Sequence, residues 1–230
     1  MAPILTCIRH AQGYHNLSPE NEQKYHDPDL TKTGREQCER LRDRFPYLDG
    51  IDCIMTSPIR RTIQTALIGL EPAIEKRGLK LILVPRAQET SDKPSDTGSS
   101  VKALEKEFGD KLDERRMVED WSSNQGKWTM DAPHIETNVV ELRKFIKSLD
   151  FKHVALVAHG GFLHYFTEDW SDNPGEESGT GWVNTEFRTY EYVKGEGGHL
   201  KELAESRKRR AKGAAGGYEE GDDSVPEDQK

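Results

Sequence analysis

The chain has 230 residues, a formal net charge of −8 and a hydrophobic content of 33%. This length suits one domain with a single core, and the acidic balance argues against a general nucleic-acid-binding surface. The three cysteines lie in apolar or helical patterns, which predicts buried thiols in a reducing compartment and no disulfide framework. The sequence shows no signal-peptide pattern and no apolar run that could span a membrane, so we expect a cytoplasmic protein.

Three short apolar runs, each typical of a buried strand, stop at polar residues that open a new element. The runs and the residues that follow them are 4–8 with Arg9-His10, 51–55 with Thr56-Ser57-Pro58, and 153–158 with His159-Gly160-Gly161. Open α/β sheets collect their ligands beyond the carboxyl ends of the strands. The two histidines, together with Arg9, Arg60 and Arg61, therefore predict a site that suits a phosphate dianion.

The rest of the chain alternates between predicted helices and strands. In the first part of the chain the patterns predict a polar loop at 17–29 over the site, a helix to about Phe45 capped by Thr31 or Thr33, and a helix from Ser57 to about Arg77. A strand at 79–84 and a loop at 90–100 follow, and then helical spacing at 101–121 that is interrupted at Gly109. The last part is predicted to contain a loop at 122–133, a helix at 135–149, a helix after Gly160, and strands at 185–193 and 199–203. This alternation predicts an α/β fold with a mostly parallel sheet, and the last two strands predict an antiparallel edge.

The composition changes after residue 203. Five cations lie between Arg207 and Lys212, and six acids lie between Glu219 and Asp228. We therefore predict a domain at 1–203 and a disordered charged tail at 204–230. The basic cluster is compatible with a nuclear-import signal or with a solvated charge run, so the nucleus is the alternative to the cytoplasm.

Four motifs occur in order along the chain. They are Arg9-His10 with Gly13 and Asn16, Leu30-Thr31-x-x-Gly34-Arg35-x-Gln37, Ser57-Pro58-x-x-Arg61-x-x-Gln64-Thr65-Ala66, and His159-Gly160-Gly161. Together they resemble the signature of the histidine phosphatase superfamily, the phosphoglycerate-mutase-like proteins, over residues 4–192. Near Asp96-Thr97-Gly98-Ser99 the chain resembles a fungal and plant branch of mostly unassigned members. The resemblance implies a three-layer α/β/α sandwich.

The resemblance also implies roles for the matching residues. His10 would be the nucleophile that forms a phosphohistidine, and His159 would be a second imidazole that donates to the phosphate oxygens. Arg9 and Arg61 would bind the phosphate through their forked donors. Arg61 is selected over Arg60 because it lies four residues after the serine of its motif, as in the family pattern.

Four further residues complete the expected site. Asn16 and Gly160 would contribute to phosphate binding, and His15 is a candidate substrate contact. Glu89 follows the strand after the arginine-containing helix, where family members place a carboxylate, so it is the candidate general acid. The open alternatives for this proton donor are Asp92 and Asp96.

Several functions remain open on these residues. The first is a metal-independent phosphomonoester phosphatase that acts through a phosphohistidine, and the second is a phosphoglycerate-type mutase. The stretch 89–93 departs from the Glu-Arg-x-Tyr-Gly-like segment of the mutase branch, which favours the phosphatase. The third is a non-catalytic phospho-ligand-binding or scaffold protein. A metal-dependent hydrolase is the fourth, but no His-x-x-x-His or Cys-x-x-Cys spacing supports it. We expect no cofactor, a small phosphorylated metabolite as substrate, and no membrane or nucleic-acid partner.

Overall fold

The computed structural model describes residues 1–168, 181–195 and 197–211. Within these ranges seven strands form one sheet, namely β1 (Ile4–Arg9), β2 (Cys53–Thr56), β3 (Leu81–Leu83), β4 (Leu112–Asp113), β5 (His153–Ala158), β6 (Phe187–Tyr192) and β7 (Leu200–Glu202). Their spatial order is β4-β3-β2-β5-β1-β6-β7. The central strand β5 is buried along its whole length, which explains its continuous apolar sequence.

The strand pairing makes the sheet mostly parallel. Strands β1 and β2 flank β5 in parallel, and β3 pairs in parallel with β2 and β4. Strand β6 is antiparallel to β1, and β7 is antiparallel to β6. The predicted mostly parallel sheet with an antiparallel edge is therefore confirmed. In this register Arg9 lies beside Ala158 and Thr56 lies beside Val157, so three strands end at the same edge of the sheet.

Helices cover both faces of the sheet and complete three layers. They are α1 (Pro19–Lys24), α2 (Lys32–Arg44), α3 (Arg60–Gly69), α4 (Glu71–Arg77), α5 (Val101–Phe108), α6 (Ala132–Lys147), α7 (Gly160–Thr167) and α8 (Ala204–Ala211). Residues of α2, α3, α4 and α5 join one apolar core, and residues of α6 and α7 join the other. Among the described residues, no helix is long and apolar enough to cross a membrane.

Two predicted helices have different bounds in the structure. The helix expected from Ser57 to Arg77 is divided at Leu70, because Pro72 is suited to the first turn of a new helix and not to a helix interior. The helical spacing expected at 101–121 ends at Phe108. Gly109 has φ +57°, and the chain then turns into the short edge strand β4. Buried Trp121 and Trp128 anchor the following segment to the core, and its helical part is limited to the short 3-10 turn Gly126–Trp128.

The chain does not become disordered at residue 204. Helix α8 occupies the first eight residues of the predicted tail, and Ser206 is buried where it accepts a hydrogen bond from Thr189 N of 3.0 Å. Arg210 pairs with Glu202 at 2.9 Å, and Arg209 lies over the ring of Phe187. The prediction is wrong for these residues because the cations have partners on the domain. The remainder, 212–230, lies outside the described residues, and nuclear import stays a prediction.

Candidate active site

Where the chain leaves β1 in the first motif, its backbone stays hydrogen-bonded to the neighbouring strand β5. His10 N donates to Ala158 O at 2.9 Å, which continues the β1–β5 ladder by one residue beyond Arg9. The Asn184 amide donates to His10 O at 2.9 Å from the opposite side. The His10 side chain is only 2% exposed. The backbone that carries the imidazole is thus held by hydrogen bonds on both sides.

The second motif shapes the loop that follows His10. Gln12 N donates to Gln37 Oε1 at 2.8 Å, and Thr31 caps α2 by accepting from Gly34 N at 2.9 Å. A Cβ atom on Gly34 would lie 2.1 Å from Gln12 O, so only glycine permits this approach of α2 to the loop. Ala11 N donates to Thr65 Oγ1 at 3.0 Å. These motif residues position the site and do not line it.

Arg61 joins the three segments that carry the predicted site. Its Nε donates to His10 Nε2 at 3.2 Å, and its Nη2 donates to His159 Nδ1 at 3.0 Å. On its outer side Nη2 also donates to Asp96 Oδ1 at 2.8 Å, and Nη1 donates to Ser95 O at 2.5 Å. The guanidinium is 1% exposed. The two imidazoles and Arg61 therefore form one buried cluster.

Arg60 lies outside this cluster. It is the first residue of α3, and Asp27 Oδ1 accepts from its backbone N–H at 2.8 Å in place of a local cap. The Arg60 side chain pairs with Glu107 at 3.0 Å and donates to Asp27 O at 2.9 Å. The one-residue difference along a helix thus turns Arg60 to the surface and Arg61 to the pocket.

The hydrogen bonds define the tautomers of the two imidazoles. His10 Nδ1 lies 2.7 Å from Ala11 O, which can only accept, so this nitrogen carries the proton and Nε2 keeps its lone pair. His159 Nδ1 accepts from Arg61, so its proton is on Nε2, which donates to Ser57 Oγ at 2.9 Å. One ring therefore presents a lone pair and the other presents an N–H.

Both imidazoles are held neutral by their surroundings. Burial, followed by the nearby Arg61 guanidinium, holds the pKa of His10 well below its usual range. The same two causes lower the pKa of His159. A second positive charge beside a buried arginine is unfavourable, and no carboxylate of the described residues contacts either ring. His10 is therefore in the form that a nucleophile requires.

Glu89 lies at the amino end of α7, beside the His159-Gly160-Gly161 motif. Its Oε1 accepts from Phe162 N at 2.8 Å and from Thr90 N at 2.9 Å, while Oε2 has a longer contact of 3.3 Å with Gly161 N. A Cβ on Gly161 would lie 2.7 Å from Glu89 Oε1, so this glycine makes room for the carboxyl. Burial, followed by the charge of Asp96, raises the pKa of Glu89 above its usual value. Oε2 is the oxygen that is free to carry a proton.

Arg9 approaches the cluster from the end of β1. Its guanidinium Nη1 donates to Trp182 O, and its Nε is buried without a hydrogen-bond partner among the described residues. Burial lowers the pKa of Arg9, and the charges of Glu89 and Arg61 lie close enough to act on it. An anion bound near Arg9 would supply a negative charge that favours the protonated guanidinium, which burial disfavours.

The other predicted residues have less direct positions. Asn16 is exposed, and its Oδ1 accepts from Gly13 N at 3.0 Å, which leaves the amide nitrogen as its donor end. Gly160 is the buried first residue of α7. Asp92 is exposed, whereas Asp96 is largely occupied by Arg61. The structure therefore brings together His10, Arg61 and His159, whereas the side chains of Asn16 and Asp92 make no hydrogen bond to this cluster within the described part of the chain.

Sequence reasoning did not assign a supporting role to several residues that hold the site. Ser95 and Asp96 carry Arg61, while Trp182, Asn184 and Thr185 hold the segment that contains Arg9 and His10. Asp96 was expected only as an alternative proton donor, and the other contacts use backbone groups or a single amide, which leave no spacing pattern in the sequence. The Asp96-Thr97-Gly98-Ser99 stretch was the one available signal for the first pair.

Comparisons with known proteins identify several relatives of the chain. A probable phosphatase of Schizosaccharomyces pombe is 32% identical over 106 residues, which cover 44% of this chain and 47% of that protein, about half its length. A phosphoglycerate mutase-like protein of Arabidopsis thaliana is 27% identical over 79% of this chain and 81% of its own. Among solved structures, an ecdysone phosphate phosphatase from the silkworm Bombyx mori has a TM-score of 0.56 at 14% identity, covering 88% of this chain and 92% of its own, and supports the fold alone.

A family model decides the classification. The model described as the histidine phosphatase superfamily, branch 1, matches residues 5–205, which include all four motifs and, apart from Ile4, every strand of the sheet. The chain therefore belongs to the histidine phosphatase superfamily.

Proposed function

We propose that the chain is a phosphatase that hydrolyses phosphate monoesters through a phosphohistidine on His10, without a metal ion. The observation that carries the proposal is the contact of one buried guanidinium, that of Arg61, with both His10 Nε2 at 3.2 Å and His159 Nδ1 at 3.0 Å. Phosphoryl transfer requires an in-line nucleophile, donors for the equatorial oxygens and a proton for the leaving oxygen. Each requirement has a candidate in this cluster.

The nucleophile would be the Nε2 lone pair of His10. Ala11 O fixes the ring by accepting from Nδ1, so Nε2 points toward Arg61 and the pocket. In the first step the N–P bond forms while the bond from phosphorus to the leaving oxygen breaks. Because His10 is neutral, no proton has to be removed before the attack.

The phosphoryl oxygens would be held by Arg9, Arg61 and the Nε2–H of His159, whose bond to Ser57 Oγ would orient the ring until a phosphoryl oxygen replaces the hydroxyl as acceptor. Arginine forks match phosphate oxygens in pairs, and a buried site makes each charge–dipole contact stronger than it is in water. Among the described residues, no group of three or more His, Cys, Asp and Glu side chains is arranged to hold a metal ion. The proposal therefore gives the neutralising role to these donors.

Glu89 would supply the proton to the leaving oxygen. Its raised pKa favours the protonated form, and its Oε2 lacks the close backbone donors that occupy Oε1. In the second step a water attacks phosphorus, the N–P bond breaks, and the Glu89 carboxylate accepts the proton of that water. The cycle returns His10 to its neutral form and Glu89 to its acid form.

The substrate would be a small phosphorylated metabolite. A mutase would use the same phosphohistidine but would return the phosphoryl group to a bound acceptor instead of water. The two outcomes differ in the release of inorganic phosphate from a single substrate, which only hydrolysis gives in stoichiometric amounts.

The test uses purified protein, 4-nitrophenyl phosphate and an alkyl phosphate. We expect hydrolysis of both esters, no effect of a chelator, and trapping of radiolabelled phosphate as an acid-labile protein adduct. His10→Ala should remove turnover and the adduct without changing the melting temperature by more than a few degrees. His26→Ala changes an exposed histidine and is the matched control. Substantial turnover by His10→Ala, or a chelator-sensitive wild type, contradicts the proposal.

A further inference from the structure

A third imidazole, that of His15, adjoins the pocket. His15 lies in the short 3-10 turn Tyr14–Leu17, and its side chain is 6% exposed. Its ring centroid is 5.4 Å from that of His10, while the His159 centroid is 5.2 Å from His10. His10 therefore has two imidazole neighbours. His159 is hydrogen-bonded to Arg61, whereas the side chain of His15 makes no hydrogen bond among the described residues.

The hydrogen-bonding state of His15 is unusual for a buried residue. Its Nδ1 is fully buried and has no partner among the described residues. Buried N–H groups without a partner are rarer in folded proteins than under-satisfied acceptors, so we place the proton on Nε2. Burial, followed by Arg61 and Arg9, holds the pKa of His15 well below its usual range, so the ring is a neutral donor.

The chain makes a specific space for this ring. A Cβ atom on Gly13 would lie 2.8 Å from His15 Nδ1 and 2.9 Å from its Cε1. Gly13 has φ −105°, which any residue can adopt, so its backbone conformation does not require glycine. We conclude that Gly13 is a glycine because the ring of His15 and Asp29 O, which would lie 3.2 Å from the added atom, occupy that side.

Of the three rings, His15 is the most exposed, at 6% against 2% for His10 and 0% for His159, and its Nε2, unlike its Nδ1, is not closed off from solvent. The ammonium of Lys93 acts on the titration of His15 but is not among the main influences on His10 or His159. Lys93 is 39% exposed in its side chain and pairs with Glu22 of α1. His159, by contrast, is completely buried. A substrate whose phosphoryl group reaches His10 would place the rest of the molecule beside His15.

We propose that His15 is a substrate-binding residue whose Nε2–H donates to an oxygen of the leaving group, two or three bonds from the ester oxygen. The preferred substrates are then phosphate monoesters of polyols or hydroxy acids, which carry such an acceptor, over esters of simple alcohols. This inference rests on the proposed phosphatase function, since it concerns the same pocket.

The experiment compares glycerol 1-phosphate with propyl phosphate, which lacks the two hydroxyl groups. The readout is the ratio of their kcat/KM values, so effects common to both esters cancel. His15→Phe keeps the ring and removes the donor, and we expect this ratio to fall by about tenfold, which corresponds to one lost hydrogen bond. His15→Gln places an amide N–H near the position of Nε2 and should recover most of the ratio. His26→Ala should leave the ratio at the wild-type value.

Gly13→Ala provides a second test in which the imidazole is retained but displaced. We expect the same direction of change, and the double variant with His15→Phe should lose no more than the larger single loss, because both act on one contact. An unchanged ratio in His15→Phe, or equal recovery by Gln and Leu at position 15, overturns the inference. If the wild type hydrolyses neither ester, the proposed function fails instead, so the two failures are distinguishable.

Discussion

Asp96 is the counter-charge of Arg61, and removing its charge should affect both the stability of the fold and the affinity for phosphate. The carboxylate contacts the guanidinium at 2.8 Å, and the two side chains are 11% and 1% exposed. Its second oxygen accepts from Ser91 Oγ at 2.5 Å. Asp96→Asn keeps an oxygen that can accept from Arg61 and an amide that can reach Ser91, but it removes the negative charge.

The expected magnitude follows from the burial of the pair. Removing one partner of a buried ion pair costs about 3–5 kcal/mol, and the retained hydrogen bonds reduce this to about 2 kcal/mol. For a chain of this size that loss lowers the melting temperature by about 4–8 °C. A phosphate dianion would replace the missing charge beside Arg61. If the full 2 kcal/mol is recovered on binding, phosphate binds about 30-fold more tightly than it does to the wild type.

The assay is thermal unfolding of both proteins over a series of phosphate concentrations, with product inhibition as an independent measure of affinity. The melting temperatures of variant and wild type should converge as phosphate rises, since a ligand stabilises the folded state by mass action. Asp92→Asn changes an exposed carboxylate of the same loop and should alter neither quantity. A variant that is as stable as the wild type without phosphate, or that binds phosphate more weakly, refutes the counter-charge argument.

Three further predictions concern the acid, the second imidazole and the carboxyl-terminal helix. Glu89→Gln should lower kcat for an alkyl phosphate by about 100-fold but slow 4-nitrophenyl phosphate much less, since nitrophenolate leaves without a proton; equal losses would indicate a positioning role. In the wild type the alkyl phosphate rate should fall as pH rises through the raised pKa of Glu89, because the protonated form is the active one. Ser57→Ala removes the hydrogen bond to His159 Nε2 and should lower kcat/KM about fivefold, measured on the same esters. Truncation after Ala211 should leave turnover unchanged, whereas truncation after Leu203 should lower the melting temperature by several degrees, and the reverse order would contradict the packing of α8.

The sheet and the strand ends were predictable because their causes are local in the sequence. An apolar run that stops at polar residues marks the carboxyl end of a buried strand, and the three runs that precede Arg9, Thr56 and His159 end together at one edge of the sheet. The choice of Arg61 over Arg60 also came from the sequence, through position in a motif. The structure gives the physical reason for that choice, since Asp27 fixes the start of α3 and thereby the direction of each side chain.

The errors have causes that lie far away in the sequence. The helical spacing at 101–121 was overridden by the burial of Trp121 and by the edge of the sheet, where Leu112 pairs with Leu81. The tail prediction treated a run of cations as solvated, but Arg209 and Arg210 are within reach of an aromatic ring and a carboxylate that only the folded domain presents. Composition describes a segment by itself and so cannot include partners from elsewhere in the chain.

The charges of the pocket explain why an acid and a phosphate dianion can occupy it together. Asp96 neutralises much of the charge of Arg61 before substrate binds, and it also raises the pKa of Glu89. A dianion near Arg9 and Arg61 adds negative charge close to the same carboxyl, which favours its protonated form further. Under the proposed mechanism, substrate binding and proton retention on Glu89 would therefore support each other. The bound dianion would itself shift Glu89 toward the protonated form that donates to the leaving oxygen.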